Sequence, residues 1–268
     1  MTVRATWLGQ AGFLIEWADA SGRPRALAID PYLSDTLAEK YRGTLFPHVR
    51  LRSAPFAPTG LPPLDAVLCT HRHTDHMDPG TLQPLFRHDT DALLVAPAAE
   101  LEEARSRSGL GADRMRLLDA GDVVALGDVT VRAVPAAHET LDRDELGRHR
   151  YLGYVIELPG VTLYHSGDCV PYAGQPEWLA GVDVALLPVN GRDAHRLEHG
   201  VPGNFEFDEA VELCASAGVP TMLAHHWGMF SFNTADPSTF PLEAAGRRGV
   251  AVVVPEHAKT LELGGSQP

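Results

Sequence analysis

Three histidines and an aspartate stand within six residues, in the segment His71-Arg72-His73-Thr74-Asp75-His76. Imidazole is a good ligand for zinc and similar borderline cations, and carboxylate suits harder ones. On an extended backbone His71 and His73 can meet one metal ion, while Asp75 and His76 turn the other way toward a second. A solvated polar loop or a helix-capping region would also carry polar groups here. Neither needs three imidazoles at this density directly after a buried apolar run. The further ligands a metal pair requires stand elsewhere: His138 in Pro135-Ala136-Ala137-His138, Asp168 in Ser166-Gly167-Asp168, and the tandem pair His225-His226. Each follows a strand-like run. Singly each is a weak signal; together they complete two shells of three protein ligands around a shared carboxylate.

Such a centre suits hydrolysis. Two bound cations lower the pKa of a bridging water, supply hydroxide at neutral pH, and polarise the oxygen on which negative charge develops. Asp75 or Asp168 can accept a proton while still ligating, which makes both candidate catalytic residues. No nucleophilic serine or cysteine is required. The leaving group still needs a proton, for which His165, His195, His199 and His257 are candidates. Histidine-rich ligation favours zinc, with manganese or iron as alternatives set by supply.

The elements that must hold these side chains can be read from apolar runs bounded by Gly, Pro and Asp. Val3–Leu8, Gly12–Trp17 and Ala26–Ile29 predict strands, as do Asp65–Thr70 and Ala92–Ala96. Val123–Leu126 with Val129–Val134, and Leu152–Leu158 with Val161–Tyr164, predict two hairpins. Val184–Val189, Thr221–Ala224 and Val250–Val254 predict further strands. Helices are expected from Asp78-Pro79, over Ala98–Ser108, over Phe207–Ala217 with Gly218 as its stop, and over Ser238–Arg247. The Pro-rich stretch from Pro31 to Pro63 is irregular and could be a lid, a pocket wall or a surface excursion. No repeat or linker divides the chain, so one domain over 1–268 is expected. Two sheets in contact with helices outside would bury this order of elements.

Composition narrows the partners. The chain has 268 residues, 44% hydrophobic and 21% charged, as a packed globular protein does. Its formal net charge of −13 argues against nucleic acid as main partner. No apolar run is long enough to span a bilayer, no secretory signal opens the chain, and a cytoplasmic location is expected. Cys69, Cys169 and Cys214 form no paired spacing, so three reduced thiols are expected, with Cys214 in the core.

The ordered set HxHxDH, His138, Asp168 and His226 resembles the metallo-β-lactamase superfamily. Within it the chain is similar to the ascorbate-6-phosphate lactonase-like (UlaG-like) metal-dependent hydrolases. Trp7-Leu8-Gly9-Gln10-Ala11-Gly12-Phe13, Ile29-Asp30-Pro31-Tyr32-Leu33-Ser34, Asn190-Gly191-Arg192-Asp193, Gly203-Asn204 and Asn233-Thr234-Ala235-Asp236-Pro237 carry that likeness. The resemblance implies an α/β, four-layer αββα sandwich with the site at one edge. It implies His71, His73 and His138 on the first metal, Asp75, His76 and His226 on the second, and Asp168 as the bridge. His226 is preferred to His225 because His226-Trp227-Gly228-Met229-Phe230 fits the family pattern; His225 would then support the ligands from behind. Some β-lactam-cleaving relatives use a cysteine ligand, and Cys169 would fill that role if the register shifted by one. Asp30 could fix the tautomer of His71 or His73, or simply open the turn at Pro31.

Hydrolysis of a small anionic ester or lactone is the function this implies, with Arg192 and Asn233 as substrate-binding candidates. Arg192 could grip an anion near the metals, or pair with Asp193 or another carboxylate. Phosphodiester cleavage of a lipid or cyclic nucleotide by the same pair is the alternative. A non-catalytic binding module with a relic site is a third reading, against which the complete ligand set speaks. The sequence fixes no oligomeric state.

Overall fold

The computed structural model describes residues 2–264; Met1 and residues 265–268 of the expected domain lie outside the described residues. In chain order the elements are β1 (Val3–Gly9), β2 (Gly12–Ala18), β3 (Pro24–Ile29), α1 (Thr36–Lys40), β4 (Ala66–Leu68), α2 (Pro79–His88), β5 (Leu93–Pro97), α3 (Leu101–Ser108), β6 (Met115–Leu118) and β7 (Val123–Leu126). They continue with β8 (Val129–Pro135), β9 (Leu152–Leu158), β10 (Val161–His165), β11 (Val184–Pro188), α4 (Ala194–Glu198), α5 (Phe207–Ala217), β12 (Thr221–His225), α6 (Leu242–Arg247), β13 (Ala251–Val253) and β14 (Thr260–Leu263). The strands form two seven-stranded sheets, ordered β14-β1-β2-β3-β4-β5-β6 and β13-β12-β11-β10-β9-β8-β7.

Strand periodicity explains why the sheets stack. Alternate side chains of a strand leave opposite faces. Phe13, Ile15 and Trp17 of β2 enter the large core shared with the second sheet, where Val131, Ile156 and Leu163 meet them. Leu14 of β2 points the other way, as do Ala28 of β3, Val67 of β4 and Leu94 of β5; they meet Leu82, Leu85 and Phe86 of α2. Helix α5 covers β11 and β12 of the second sheet through Ala210, Val211 and Cys214. The result is the expected helix–sheet–sheet–helix sandwich.

Strands β3 to β6 run parallel, and so do β10 to β13. β9 is antiparallel to both β8 and β10, so β8 points the same way as β10. The carboxyl ends of β4, β8, β10 and β12 are where the sequence places its candidate ligands.

Most anticipated elements form within a residue or two of their expected ends, and the differences have local causes. The helix expected over Ser238–Arg247 is split: Phe240 is extended (φ −68°, ψ 127°) ahead of Pro241, and α6 starts at Leu242. Proline disfavours helical backbone at the residue before it. Residues Ala98–Glu100 form a tight 3₁₀ turn before α3. The edge strands β6 and β14 were not anticipated; their side chains are mixed in exposure and alternate poorly. Among the described residues no helix is long and apolar enough to cross a membrane.

Phe13 couples the two sheets. Its fully buried ring lies edge-on to His165 at 6.0 Å and His225 at 5.5 Å between centroids. Phe13→Ala should therefore lower stability by about 3–5 kcal/mol, the cost of a buried aromatic cavity. Urea unfolding checks this; a loss under about 1 kcal/mol would mean that the site collapses freely around the gap.

Candidate metal centre

The side chains singled out by the sequence converge at one edge of the sandwich. β4 delivers the segment Thr70–His76, where the His76 and Met77 amides both donate to the His73 carbonyl, at 3.0 and 2.8 Å. That turn folds the Asp75–His76 half back against the His71–His73 half. Asp78 then caps α2 by accepting from the Gly80 amide at 3.0 Å, and Pro79 opens the helix. β8 delivers His138, β10 delivers Asp168, and β12 delivers His226.

Three groups of candidate ligand atoms result, each within 4.8 Å internally: His71, His73 and His138; His71, His76 and Asp168; and Asp75, His76 and His226. Asp168 lies between them. Its Oδ2 is 3.8 Å from His138 Nε2. Its Oδ1 is 3.1 Å from His226 Nε2 and 3.4 Å from His76 Nε2. Asp75 Oδ2 faces His76 and His226 at 3.7 and 3.9 Å.

Burial makes this cluster costly without a cation. Among the described residues His71 Nε2 is buried with no hydrogen-bond partner, while His76 Nε2 and Asp168 Oδ1 face one another at 3.4 Å without well-formed hydrogen-bond geometry. Each such atom costs about 1–3 kcal/mol when left unsatisfied. Burial, with the neighbouring imidazoles, holds His71 well below the ordinary histidine range, and burial brings His138 to about 4. Both rings thus offer lone pairs at neutral pH. Burial opposes charge on His76, but the carboxylates of Asp168, Asp30 and Asp75 outweigh it and hold the ring well above its usual pKa. Burial likewise opposes charge on Asp168, yet His226 and His76 keep it well below the usual carboxylate range. Anionic oxygens and imidazole nitrogens gathered in one dry place are a donor set that fits divalent metal ions.

A polar shell behind the ligands fixes their orientation. Asp30 is fully buried and lies 2.7 Å from His76 Nδ1. It also accepts from the Thr70 amide at 2.8 Å and the Thr70 hydroxyl at 2.7 Å. The supporting carboxylate thus serves His76; the expected contact to His71 or His73 is absent, because Thr70 stands between Asp30 and His71, with its Oγ1 3.1 Å from His71 Nδ1. Gly167 keeps Asp168 close to this shell. A side chain there would bring Cβ within 2.7 Å of Thr70 Cβ, and its φ is +62°.

Gln10 is a site residue that sequence reasoning passed over. Its buried Nε2 donates to Asp75 Oδ2 at 2.9 Å and lies 3.1 Å from His226 Nε2. Its only signal was its place in the Trp7–Phe13 segment. Gln10, Asp30 and His226 all have left-handed backbone, with φ of 52°, 43° and 64°. Non-glycine residues adopt this conformation at a cost of about 1–3 kcal/mol and concentrate where function needs them.

Other candidates fall elsewhere. The His225 ring turns into the core, stacked on His165 at 5.0 Å and edge-on to Phe13, and both its nitrogens lack a hydrogen-bond partner. It thus points back into the scaffold behind the ligands, as expected, and acts there by packing rather than through a hydrogen bond. Cys169 is buried, accepts from the Ala137 amide at 3.4 Å, and is pushed up to about 12 by burial; it belongs to none of the three ligand groups. Arg192 does not line the cavity beside the site. Its guanidinium pairs with both oxygens of Glu209, at 2.7 and 2.6 Å, and donates to the Asn204 carbonyl. The capping carboxylates of α5 have claimed it. Asn233 does line the cavity, with its amide oxygen accepting from Asn190 and Arg196, each at 2.7 Å. His165 is engaged at both nitrogens, by the Ala11 carbonyl and the Gly167 amide. His257 packs against Trp7, and His195 against Phe46. Of the four proton-donor candidates only His199 reaches the cavity wall.

This division of the tandem pair has a direct consequence. His226→Ala should lower bound metal measured by elemental analysis, whereas His225→Ala should lower the unfolding midpoint and keep metal content. Full metal content in His226→Ala would contradict the placement.

Comparison with known proteins agrees with the geometry. A family described as the β-lactamase superfamily domain matches residues 25–227. A UPF0173 metal-dependent hydrolase of Myxococcus xanthus is 30% identical, over 96% of this chain and 82% of the relative. A second such hydrolase, from Pyrococcus furiosus, is 29% identical over 97% of this chain and 100% of the relative. Among solved structures, the metallo hydrolase Igni18 of Ignicoccus hospitalis superposes with a TM-score of 0.69 at 21% identity, covering 99% of this chain and 100% of that one. Fold, donor set and relatives together place this chain in the metallo-β-lactamase superfamily, among its metal-dependent hydrolases.

Proposed function

We propose that the chain holds two divalent metal ions and hydrolyses a small anionic ester or lactone, in the manner of the ascorbate-6-phosphate lactonase-like group it resembles. The observation that carries this reading is Asp168, whose two carboxylate oxygens face different histidine groups. A carboxylate so placed could serve two cations at once, one through each oxygen. His71, His73 and His138 would hold one ion, and Asp75, His76 and His226 the other. Zinc suits this histidine-rich set, with manganese or iron as alternatives. When bound, such a pair supplies a deprotonated water at neutral pH and neutralises charge on the attacked group.

The protein does the rest. Asp75 and Asp168 place oxygens where they can orient that water and accept its proton. Gln10 holds Asp75 and Asp30 holds His76, so one acceptor and the ligand beside it stay in place. A cavity of about 560 Å³ opens beside His73, Asp75, His138 and Asp168, a size that suits a small organic ligand. Its wall carries three cationic side chains, Lys40, Arg72 and Arg107. Arg107 is occupied by Glu103 at 2.6 Å. Among the described residues Arg72 has one loose ion pair, 3.9 Å to Glu100, which Arg150 already engages at 3.2 Å. With a side chain 47% exposed and metal ligands on either side of it in sequence, Arg72 is best placed to receive a substrate carboxylate or phosphate, the role first sought in Arg192. Asn233 can donate its amide hydrogens from the same wall. A small-molecule partner, rather than nucleic acid, fits both the cavity and the net charge of −13.

Arg72→Gln should lower kcat/KM for a carboxylated or phosphorylated ester by about tenfold, the low end of a charge-assisted contact, with metal content kept. A neutral ester of the same acyl group should be little affected, and Arg192→Ala should spare both. Equal losses on charged and neutral esters would end the anion-seat reading. Turnover of phosphodiesters alone, in a panel of esters, lactones and phosphodiesters, would replace the substrate class.

A further inference from the structure

The proposed hydrolysis leaves one chemical need unmet: the departing oxygen must gain a proton. The donor must line the cavity, ligate no metal, and carry a proton it can release near neutrality. Lys40 and Tyr41 line the cavity, but the Lys40 ammonium lies over the Tyr41 ring at 5.0 Å and that ring is stacked on His48. Glu103 is committed to Arg107. Two histidines remain, His48 and His199.

The two differ in how firmly they are held. His199 is exposed and follows the last residue of the short helix α4. His48 is half-buried and wedged among rings. Tyr41 stacks on it at 4.2 Å, and Phe230 and Phe232 meet it edge-on at 5.0 and 4.7 Å. Phe230 and Phe232 close the loop that begins at His226, so His48 is registered to a metal-ligand loop. The backbone reinforces this: the Leu51 amide donates to the Met229 carbonyl at 2.9 Å. His48 Nδ1 lies 2.8 Å from the Phe46 carbonyl oxygen. A carbonyl only accepts, so Nδ1 carries hydrogen, and Nε2 is the position left for chemistry.

We propose that His48 is the catalytic acid of this site, delivering a proton from Nε2 to the leaving oxygen. The inference rests on the hydrolase reading above. In the step, a water oxygen forms a bond to the acyl carbon and its proton passes to Asp75 or Asp168. The acyl carbon–oxygen bond breaks, its electron pair goes to the leaving oxygen, and the His48 Nε2 proton moves there. The carboxylate then loses its proton to solvent and His48 regains one through the open cavity mouth, so nothing accumulates. Burial lowers the pKa of His48, against the Phe46 carbonyl and the charge of Asp75, which raise it; the cationic ring is thus a stronger acid than free histidine, while a smaller share of rings is charged at neutral pH.

The test compares leaving groups that need a proton with one that does not. Metal-loaded wild type and His48→Gln would be assayed on 4-nitrophenyl acetate, on an alkyl acetate and on a γ-lactone. His48→Gln should lose about a hundredfold or more in kcat on the alkyl ester and the lactone, the range of general-acid catalysis. It should stay near wild type on the nitrophenyl ester, with metal content unchanged. Equal loss on all three, or no loss on any, overturns the role of His48 and spares the hydrolase. A wild type inactive on this panel and on carboxylated counterparts of the same esters and lactone overturns the ester-and-lactone reading and the role of His48 with it. Nitrogen-15 NMR of the wild-type ring provides a readout independent of turnover and of the variant's folding: neutral His48 should carry its hydrogen on Nδ1, and hydrogen on Nε2 instead would overturn the assignment.

Discussion

The Asp168 carboxylate is the constraint on which the rest of the site depends. It is an anion buried among imidazoles, with one oxygen toward His76 and His226 and the other toward His138. Buried charge is tolerable only where it is compensated. Compensation here requires three strand ends from the second sheet and one from the first to meet at one spot. The stacking of the two sheets, the parallel run of β3 to β6 and of β10 to β13, and the small residue at Gly167 all serve that meeting. The left-handed backbone at Gln10, Asp30 and His226 adds local strain, offset by the interactions that hold those side chains.

Much of this was legible in the sequence because metal ligation leaves a local signature. Three histidines and an aspartate in six residues are improbable without a shared partner. His138, Asp168 and His226 could be added because each follows an apolar run, and strand ends aim side chains reproducibly. The layered sandwich was legible for a related reason: near-continuous apolar runs such as those of β11 and β12 mark strands covered on both faces, which need two partners each. The short edge strands β6 and β14 escaped because edge positions are half-exposed and carry no clean period.

What the sequence hid was set by contacts between distant segments. Asp30 was recognisable as a supporting carboxylate, but its partner was not, since that depends on how Thr70 separates it from His71. Arg192 looked like an anion receptor until the carboxylates at the start of α5 were seen to hold it. His48 had no signal, because a lone histidine in a Pro-rich irregular stretch has no period to mark it. Its place depends on aromatic packing between the 41–51 segment and the 230–232 segment. Part of the stretch after Pro31, between Leu37 and His48, lines the cavity, and Arg50 anchors it by donating to the Ser34 carbonyl at 3.0 Å and to Met229 Sδ at 3.3 Å.

The central claim is that Asp168 joins two cations held by separate histidine groups. Anomalous diffraction from crystals of the purified protein, recorded across the absorption edges of zinc, manganese and iron, tests it most directly. Two peaks per chain are expected, one against His71, His73 and His138 and one against Asp75, His76 and His226, with Asp168 contacting both. A single fully occupied peak with Asp168 bound through one oxygen, in protein saturated with metal, would contradict it.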